Sequence, residues 1–326
     1  MIGRREFVLA FAAAPLVSFA QTPKVWRVGF LAPRSRPASL DGDLYGAFLA
    51  GMGSLGYVEG KNLTIEWRFA GNDSAMLSKL AGELVQLKPD VIVTPGSAAT
   101  SAAQKATASL PVVMINAGDP VRSGYGRSLA HPGGNITGPT SLMETYSAKQ
   151  LEVIREIVPK MSRVAVLSFN FSDPVHAAIL KNVEGAARSI AVSVLPFEAR
   201  DARQLVAIFA AMAAKKVDAI MVAQNPFFLQ VRRQLSELAT TYRLPAIAAY
   251  PEYAEEGLLV SYGHSNAENY RRAANYVDKI LKGAKPGDIP VEQPKTFEMA
   301  INMRTAKALG LKIPQSILLQ ATKVLE

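Results

Sequence analysis

The chain has 326 residues, 49% of them hydrophobic, so it is long enough for two domains with separate cores. No run of eighteen or more apolar residues occurs in the sequence, which argues against a membrane-spanning helix. The formal net charge is +9, but the basic residues are scattered, which argues against a nucleic-acid partner. Cysteine is absent, which excludes disulfides, a thiol nucleophile and the acceptor for a bacterial lipid anchor.

Residues 1–20 have the pattern of a signal peptide. Arg4 and Arg5 precede an apolar region over residues 7–20, which ends in small residues typical of a cleavage site. The paired arginines also match a twin-arginine export signal, although they would serve the general export route as well. We therefore expect a mature chain that begins near Gln21 and is free in the periplasm, rather than a lipoprotein.

The first half of the chain alternates strands and helices. Residues 63–69 alternate apolar and polar side chains and predict a half-exposed strand near a sheet edge. Residues 91–93 form a short β-branched run between breakers, which predicts a strand buried on both faces. Such a series predicts a doubly wound parallel sheet. The predicted strands cover residues 27–32, 63–69, 91–93 and 111–116, and the predicted helices cover residues 45–55, 76–87 and 98–108.

The second half repeats this pattern. Residues 88–93 (KPDVIV) match residues 216–221 (KVDAIM) in register, and Leu110-Pro111 matches Leu244-Pro245. We therefore predict two α/β lobes with strand ends that face a shared ligand cleft. The first lobe is expected to comprise residues 21–140 and about 258–295, and the second residues 141–257 and about 296–326.

Several polar residues follow predicted strand ends, where open α/β sheets bind ligands. Ser97 is expected to cap the helix that begins there, so that Ser97 and free N–H groups would bind a carboxylate. Asp119 would bind an ammonium group, although Asp119-Pro120 fits a helix cap equally well. Phe227 could form an apolar wall. The candidate ligand-binding residues are Arg34, Ser35, Ser97, Thr100, Asp119, Asn170, Asn225, Phe227 and Tyr250.

No pattern typical of catalysis is present. The three histidines, His131, His176 and His264, lie in separate segments without metal-ligand spacing. The sequence also lacks a Gly-x-Ser-x-Gly elbow and a glycine-rich phosphate loop. We expect no metal and no cofactor. Two functions therefore stay open, solute capture for import and an exported α/β enzyme that acts on a small polar substrate, and the ligand-binding subunit of a sensor would use the same cleft.

The order of motifs resembles a known family. The matching segments are residues 55–66 (LGYVEGKNLTIE), 118–121 (GDPV), 132–138 (PGGNITG), 225–228 (NPFF), 261–263 (SYG), 280–286 (ILKGAKP) and 302–311 (NMRTAKALGL). Together they resemble the substrate-binding proteins of ABC transporters with the type I periplasmic-binding fold, in the branch with tryptophan and tyrosine binders. The resemblance implies a small-molecule ligand, with an aromatic amino acid as the best candidate, and an ABC permease as partner. We expect a monomer.

Overall fold

The computed structural model describes residues 24–141 and 143–326. The predicted signal peptide lies outside the described residues. In chain order, the first lobe contains β1 (Trp26–Ala32), α1 (Leu44–Ser54), β2 (Leu63–Phe69), α2 (Ser74–Gln86), β3 (Val91–Pro95), α3 (Gly96–Ala106), β4 (Val112–Ile115) and β5 (Ile136–Thr137). The second lobe begins with α4 (Met143–Ile157), β6 (Arg163–Ser168), α5 (Pro174–Ser189), β7 (Ser193–Glu198), α6 (Leu205–Ala214) and β8 (Ala219–Val222).

The remaining elements are shorter, apart from one long helix. They are α7 (Pro226–Gln230), α8 (Arg232–Thr241), β9 (Ala246–Ala248), α9 (Pro251–Glu255), β10 (Val260–Gly263), α10 (Asn266–Leu281), β11 (Glu298–Asn302), α11 (Met303–Leu309), α12 (Gln315–Gln320) and β12 (Lys323–Leu325). Among the described residues, no helix has the length and apolar character needed to cross a membrane.

Each lobe is built on a sheet with helices on both faces. The first sheet is entirely parallel, in the order β2-β1-β3-β4-β5, so the strand at residues 63–69 is an edge strand, as predicted. The second sheet has the order β12-β11-β10-β9-β8-β6-β7, and only its β10–β11 pair is antiparallel. The predicted fold class, two doubly wound parallel-sheet lobes around a central cleft, is confirmed.

The internal repeat has a structural basis. Asp90 Oδ2 accepts a hydrogen bond from the backbone N–H of Arg27 at 2.8 Å, where β3 begins beside β1. Asp218 Oδ2 accepts the equivalent bond from Arg163 N–H at 2.8 Å, where β8 begins beside β6. Each carboxylate thus fixes the start of two neighbouring strands.

The segment at residues 258–295, expected in the first lobe, is divided between the lobes. Strand β10 lies beside β9 in the second sheet, with Val260 opposite Ile247. Helix α10 packs against α1 of the first lobe, because Gly51 leaves room for Ala274. A Cβ atom on Gly51 would lie 2.9 Å from the Cβ of Ala274. The boundary therefore falls between Gly263 and Asn266, where the chain passes from the second lobe to the first.

Candidate functional site

A cavity of about 140 Å³ lies between the two lobes, at the carboxyl ends of their strands. The loops after β1, β3 and β4 line it from the first lobe, and the loops after β6, β8 and β9 line it from the second. This is the location where open α/β sheets bind ligands. Of the candidates from the sequence, Arg34, Ser97, Asn170, Asn225 and Tyr250 line the cavity.

The amino end of α3 lies at the cavity, but Ser97 is not its N-cap. The helix begins at Gly96, two residues before the predicted start, and the φ of +79° at Gly96 suits glycine. The N-cap residue Pro95 offers no side-chain hydrogen bond. Ser97 instead accepts a hydrogen bond at Oγ from the N–H of Gly118 at 3.3 Å. The first N–H groups of α3 therefore have no side-chain cap, which suits an anionic group of a ligand.

Thr100 does not line the cavity. Its side chain is fully buried beneath the first turn of α3. There its hydroxyl donates to the carbonyl oxygen of Gly96 at 2.9 Å and lies 3.0 Å from the Thr94 hydroxyl. Ser97 and Thr100 are three residues apart and lie on one face of α3, so the sequence pattern did not separate the residue at the cavity from the one beneath it.

Asp119 does not line the cavity either. Its Oδ1 accepts hydrogen bonds from the N–H groups of Val121 at 2.9 Å and Arg122 at 3.1 Å, so the carboxylate caps the turn that follows. This is the capping alternative that the Asp119-Pro120 dipeptide left open. Ser35 is exposed at the mouth of the cleft and also lies outside the cavity lining.

Among the described residues, the carboxylate that does line the cavity is that of Asp173, which sequence reasoning missed. Asp173 precedes Pro174 and caps α5, where Oδ1 accepts bonds from Val175 N–H at 2.8 Å and His176 N–H at 3.3 Å. The Asp-Pro dipeptide before a helix predicts the cap, but not the position of that helix end at the cleft.

Arg34 supplies the opposite charge on the first lobe. Its side chain is buried, its Nε donates to the Tyr45 hydroxyl at 2.9 Å, and its NH2 forms an ion pair with Asp43. The guanidinium also lies over the Tyr45 ring, 4.5 Å from the centroid. These contacts fix the group in one orientation. Arg34 and Asp173 therefore give the described cavity lining one positive and one negative side chain.

His176 and Gln224 form a neutral polar part of the wall. The His176 Nδ1 lies 2.9 Å from the Ser168 hydroxyl, and its Nε2 lies 3.2 Å from the carbonyl oxygen of Gln224. Burial lowers the pKa of His176, so the ring is neutral and its Nε2–H donates to that carbonyl. The Gln224 Oε1 accepts from the Tyr146 hydroxyl at 2.9 Å, which orients the amide.

Two asparagines of the second lobe are held in place by hydrogen bonds to their side-chain carbonyl oxygens. Asn170 Oδ1 accepts from Ser172 N–H at 2.9 Å and from Arg200 NH2 at 3.1 Å. Asn225 Oδ1 accepts from Phe227 N–H at 2.8 Å, which caps α7. With both side-chain oxygens engaged, the amide nitrogens of these two lining residues remain available as donors.

Aromatic rings form the rest of the wall. Phe169, Tyr250 and Tyr270 line the cavity, and no described residue forms a hydrogen bond with either tyrosine hydroxyl. Burial raises the pKa of Tyr250 well above its ordinary value, so this hydroxyl stays protonated and can donate. Phe227 lies behind Phe169, with ring centroids 5.5 Å apart, and belongs to the core rather than to the lining.

Asn116 connects the cavity to the chain crossing between the lobes. Its Oδ1 accepts a hydrogen bond from His264 Nε2 at 3.0 Å and another from Asn269, and its Nδ2 donates to Asn266. The residue lines the cavity and has a φ of +53°, which asparagine tolerates better than most residues. Asn116 therefore links a bound ligand to residues 264–266, where the chain passes from the second lobe to the first; we call this segment the hinge. Sequence reasoning missed this network because its members are far apart in the chain.

The described residues contain no group of three or more His, Asp or Glu side chains placed to hold a metal ion. The arrangement is that of a binding cavity with one cationic side, one anionic side and an aromatic wall.

Comparisons with known proteins agree with this geometry. A family model described as ABC transporter substrate binding protein matches residues 30–325. A tyrosine-binding protein of Clostridioides difficile is 25% identical over 265 residues, which are 81% of this chain and 76% of that protein.

Two solved structures have the same fold. A crystal structure of an ABC domain in complex with L-Trp from Streptococcus pneumoniae has a TM-score of 0.83 and 25% identity, covering 93% of this chain and all of that one. A conserved domain protein from Vibrio cholerae has a TM-score of 0.81 and 27% identity, with the same coverage.

Proposed function

The chain belongs to the family of ABC transporter substrate-binding proteins, and from this premise we propose that it captures a free aromatic amino acid between its lobes. The loaded protein, a monomer in the periplasm, would deliver the amino acid to an ABC permease. The tyrosine-binding relative and the L-Trp complex support the aromatic class, since each is about one quarter identical to this chain.

The observation that carries the proposal is that the two lobes place side chains of opposite charge in the described cavity lining, Arg34 on the first lobe and Asp173 on the second. In the proposed complex, the Arg34 guanidinium, Ser97 and the uncapped N–H groups of α3 bind the carboxylate of the amino acid. Asp173 binds its ammonium group, in the role first expected for Asp119. Closure excludes water from both ion pairs, which strengthens them.

The aromatic side chain of the ligand would lie against Phe169, Tyr250 and Tyr270. Offset and edge-to-face ring contacts contribute roughly 0.5–1.5 kcal/mol each beyond the burial of apolar area. The Tyr250 and Tyr270 hydroxyls, together with the amide of Gln224, would be available for a phenol or indole group of the ligand. An aliphatic amino acid would leave these polar groups unpaired, which costs binding free energy.

The alternative of an exported enzyme has little support in the site. A nucleophilic Ser97 would need a base, and its Oγ lies against the Gly118 N–H. The one cavity histidine, His176, engages both ring nitrogens with Ser168 and Gln224. A sensor subunit would use the same cavity, and capture of an ABC permease by the loaded protein would favour the importer.

The test is to purify the protein without added ligand, denature it and identify the released small molecule by mass spectrometry. We expect tyrosine or tryptophan. Recovery of a sugar, a purine or an aliphatic amino acid would contradict the aromatic class, and conversion of the recovered molecule by the refolded protein would favour an enzyme.

A further inference from the structure

The two lobes touch at Gly118 and Val175, outside the cavity lining. Gly118 follows β4 in the first lobe, and Val175 is the second residue of α5 in the second lobe. A Cβ atom on Gly118 would lie 2.3 Å and 2.6 Å from the two γ carbons of Val175 and 3.0 Å from its β carbon. The closed lobes therefore have no room for any side chain at position 118.

Neither partner can move aside within the closed protein. Val175 is buried, and a β-branched side chain in a helix has one strongly preferred rotamer. The backbone of Gly118 is held on both sides, since its N–H donates to Ser97 Oγ at 3.3 Å and its carbonyl accepts from the Thr140 hydroxyl at 2.7 Å. An added methyl group would have to be accommodated by separation of the lobes.

We propose that Gly118 is a closure-determining residue: the absence of a side chain there allows the lobes to close, so Gly118 governs ligand affinity without contacting the ligand. The inference rests on the proposed function, because closure matters only if the cavity captures a ligand. Its φ lies outside the left-handed region that favours glycine, so alanine is compatible with the backbone once the lobes separate.

Gly118 is a cleaner probe of closure than Gly96, the other glycine at a contact between lobes. A Cβ on Gly96 would lie 3.3 Å from Pro226 Cγ, but Gly96 also has a φ of +79° and lines the cavity. Substitution there would change the backbone, the ligand contacts and closure together. Alanine at position 118 keeps the N–H that bonds to Ser97 Oγ, so the main change there is the added methyl group.

Closure can be measured in the empty protein, without knowledge of the ligand. The chain has no native cysteine, so the pair Ser35→Cys and Gln230→Cys places two thiols at opposite sides of the cleft mouth. Every variant carries the same pair, so the loss of the Gln230 side chain is common to all the rates compared. A short bismaleimide then cross-links the closed state. We expect Gly118→Ala to slow cross-linking at least tenfold. The added change Val175→Ala removes both γ carbons but keeps the β carbon 3.0 Å away, so it should restore part of the rate. The control Gly53→Ala, an exposed helical position with open space, should leave the rate unchanged.

Equal cross-linking rates for Gly118→Ala and its parent would overturn the proposal, and so would a double variant no faster than Gly118→Ala alone. Failure of the parent pair to cross-link would contradict the closed contact itself. Loss of a cooperative thermal transition in Gly118→Ala would also contradict it, because the open lobes should tolerate alanine. A separate titration with L-tyrosine and L-tryptophan reports on the ligand class: no binding by the parent would reject that class and leave the closure result standing.

Discussion

Gln230 of the second lobe accepts a hydrogen bond at Oε1 from Asn72 Nδ2 of the first lobe, at a distance of 3.1 Å. The same oxygen accepts a second bond from the N–H of Ser35, 3.3 Å away. Both bonds cross the mouth of the cleft and exist only when the lobes are closed. Gln230 therefore stabilises the conformation that retains a ligand.

Replacement of Gln230 by alanine should weaken ligand binding through faster dissociation. Loss of these exposed bonds should cost about 1 kcal/mol, or roughly fivefold in affinity. Stopped-flow fluorescence would measure the dissociation rate. Gln234→Ala is the matched control, because Gln234 Nε2 bonds to the Ala202 carbonyl oxygen within the second lobe. Equal rates for the two variants would show that the contact does not stabilise closure.

Asp173→Asn tests the anionic side of the cavity. Asparagine caps a helix as well as aspartate does, so stability should change little, whereas the ligand ammonium loses its counter-charge. We expect affinity to fall by about 2 kcal/mol or more, roughly thirtyfold, by isothermal titration calorimetry.

Asp73→Asn is the control for this change. Asp73 caps α2 with the same geometry, with Oδ1 2.8 Å from Ala75 N–H and 3.2 Å from Met76 N–H, but it does not line the cavity. Undiminished binding in Asp173→Asn would assign Asp173 to capping alone.

The buried histidine at the hinge should make the protein sensitive to acid. Burial, with a smaller effect of Arg272, lowers the pKa of His264 to about 3, against about 6.5 in an unfolded chain. The unfolded state therefore binds a proton first, so the contribution of His264 to stability is complete above about pH 6.5 and is lost as the pH falls toward 3.

Urea unfolding at pH 4 to 6 can test this effect. His264→Gln keeps a donor for Asn116 but removes the titration, so its free energy of unfolding should vary less with pH, by about 1.4 kcal/mol per pH unit. His131→Gln, the same exchange at an exposed position, is the control for the loss of a histidine. If the free energy of unfolding of His264→Gln varied with pH as steeply as that of the parent, this would contradict a neutral buried ring at His264.

The fold could be predicted from the sequence because its signals are local. The β-branched run at residues 91–93 and the in-register match of Asp90 with Asp218 gave the parallel sheets and the repeat. The course of the chain between lobes could not be predicted, since β10 joins the second sheet by pairing with β9, and no local pattern specifies a partner strand.

The cavity was predicted in part, for a physical reason. Polar residues that directly follow a strand line the cavity where the backbone of the loop points toward the cleft, as at Arg34 and Asn225. Asp119 does not, because the turn that its carboxylate caps lies outside the cavity lining. Asp173 does, because α5 directs its amino end at the cleft, and that direction depends on how the helix packs.

The most direct measurement of the central claim is calorimetric titration of the protein, freed of bound ligand, with L-tyrosine, L-tryptophan and their analogues without the amino group. The account predicts binding of one molecule per chain for at least one of the two amino acids, and at least thirtyfold weaker binding of the matching deaminated acid, since Asp173 would lose its partner. Equal affinity for amino acid and deaminated acid, or no binding of either amino acid, would contradict it.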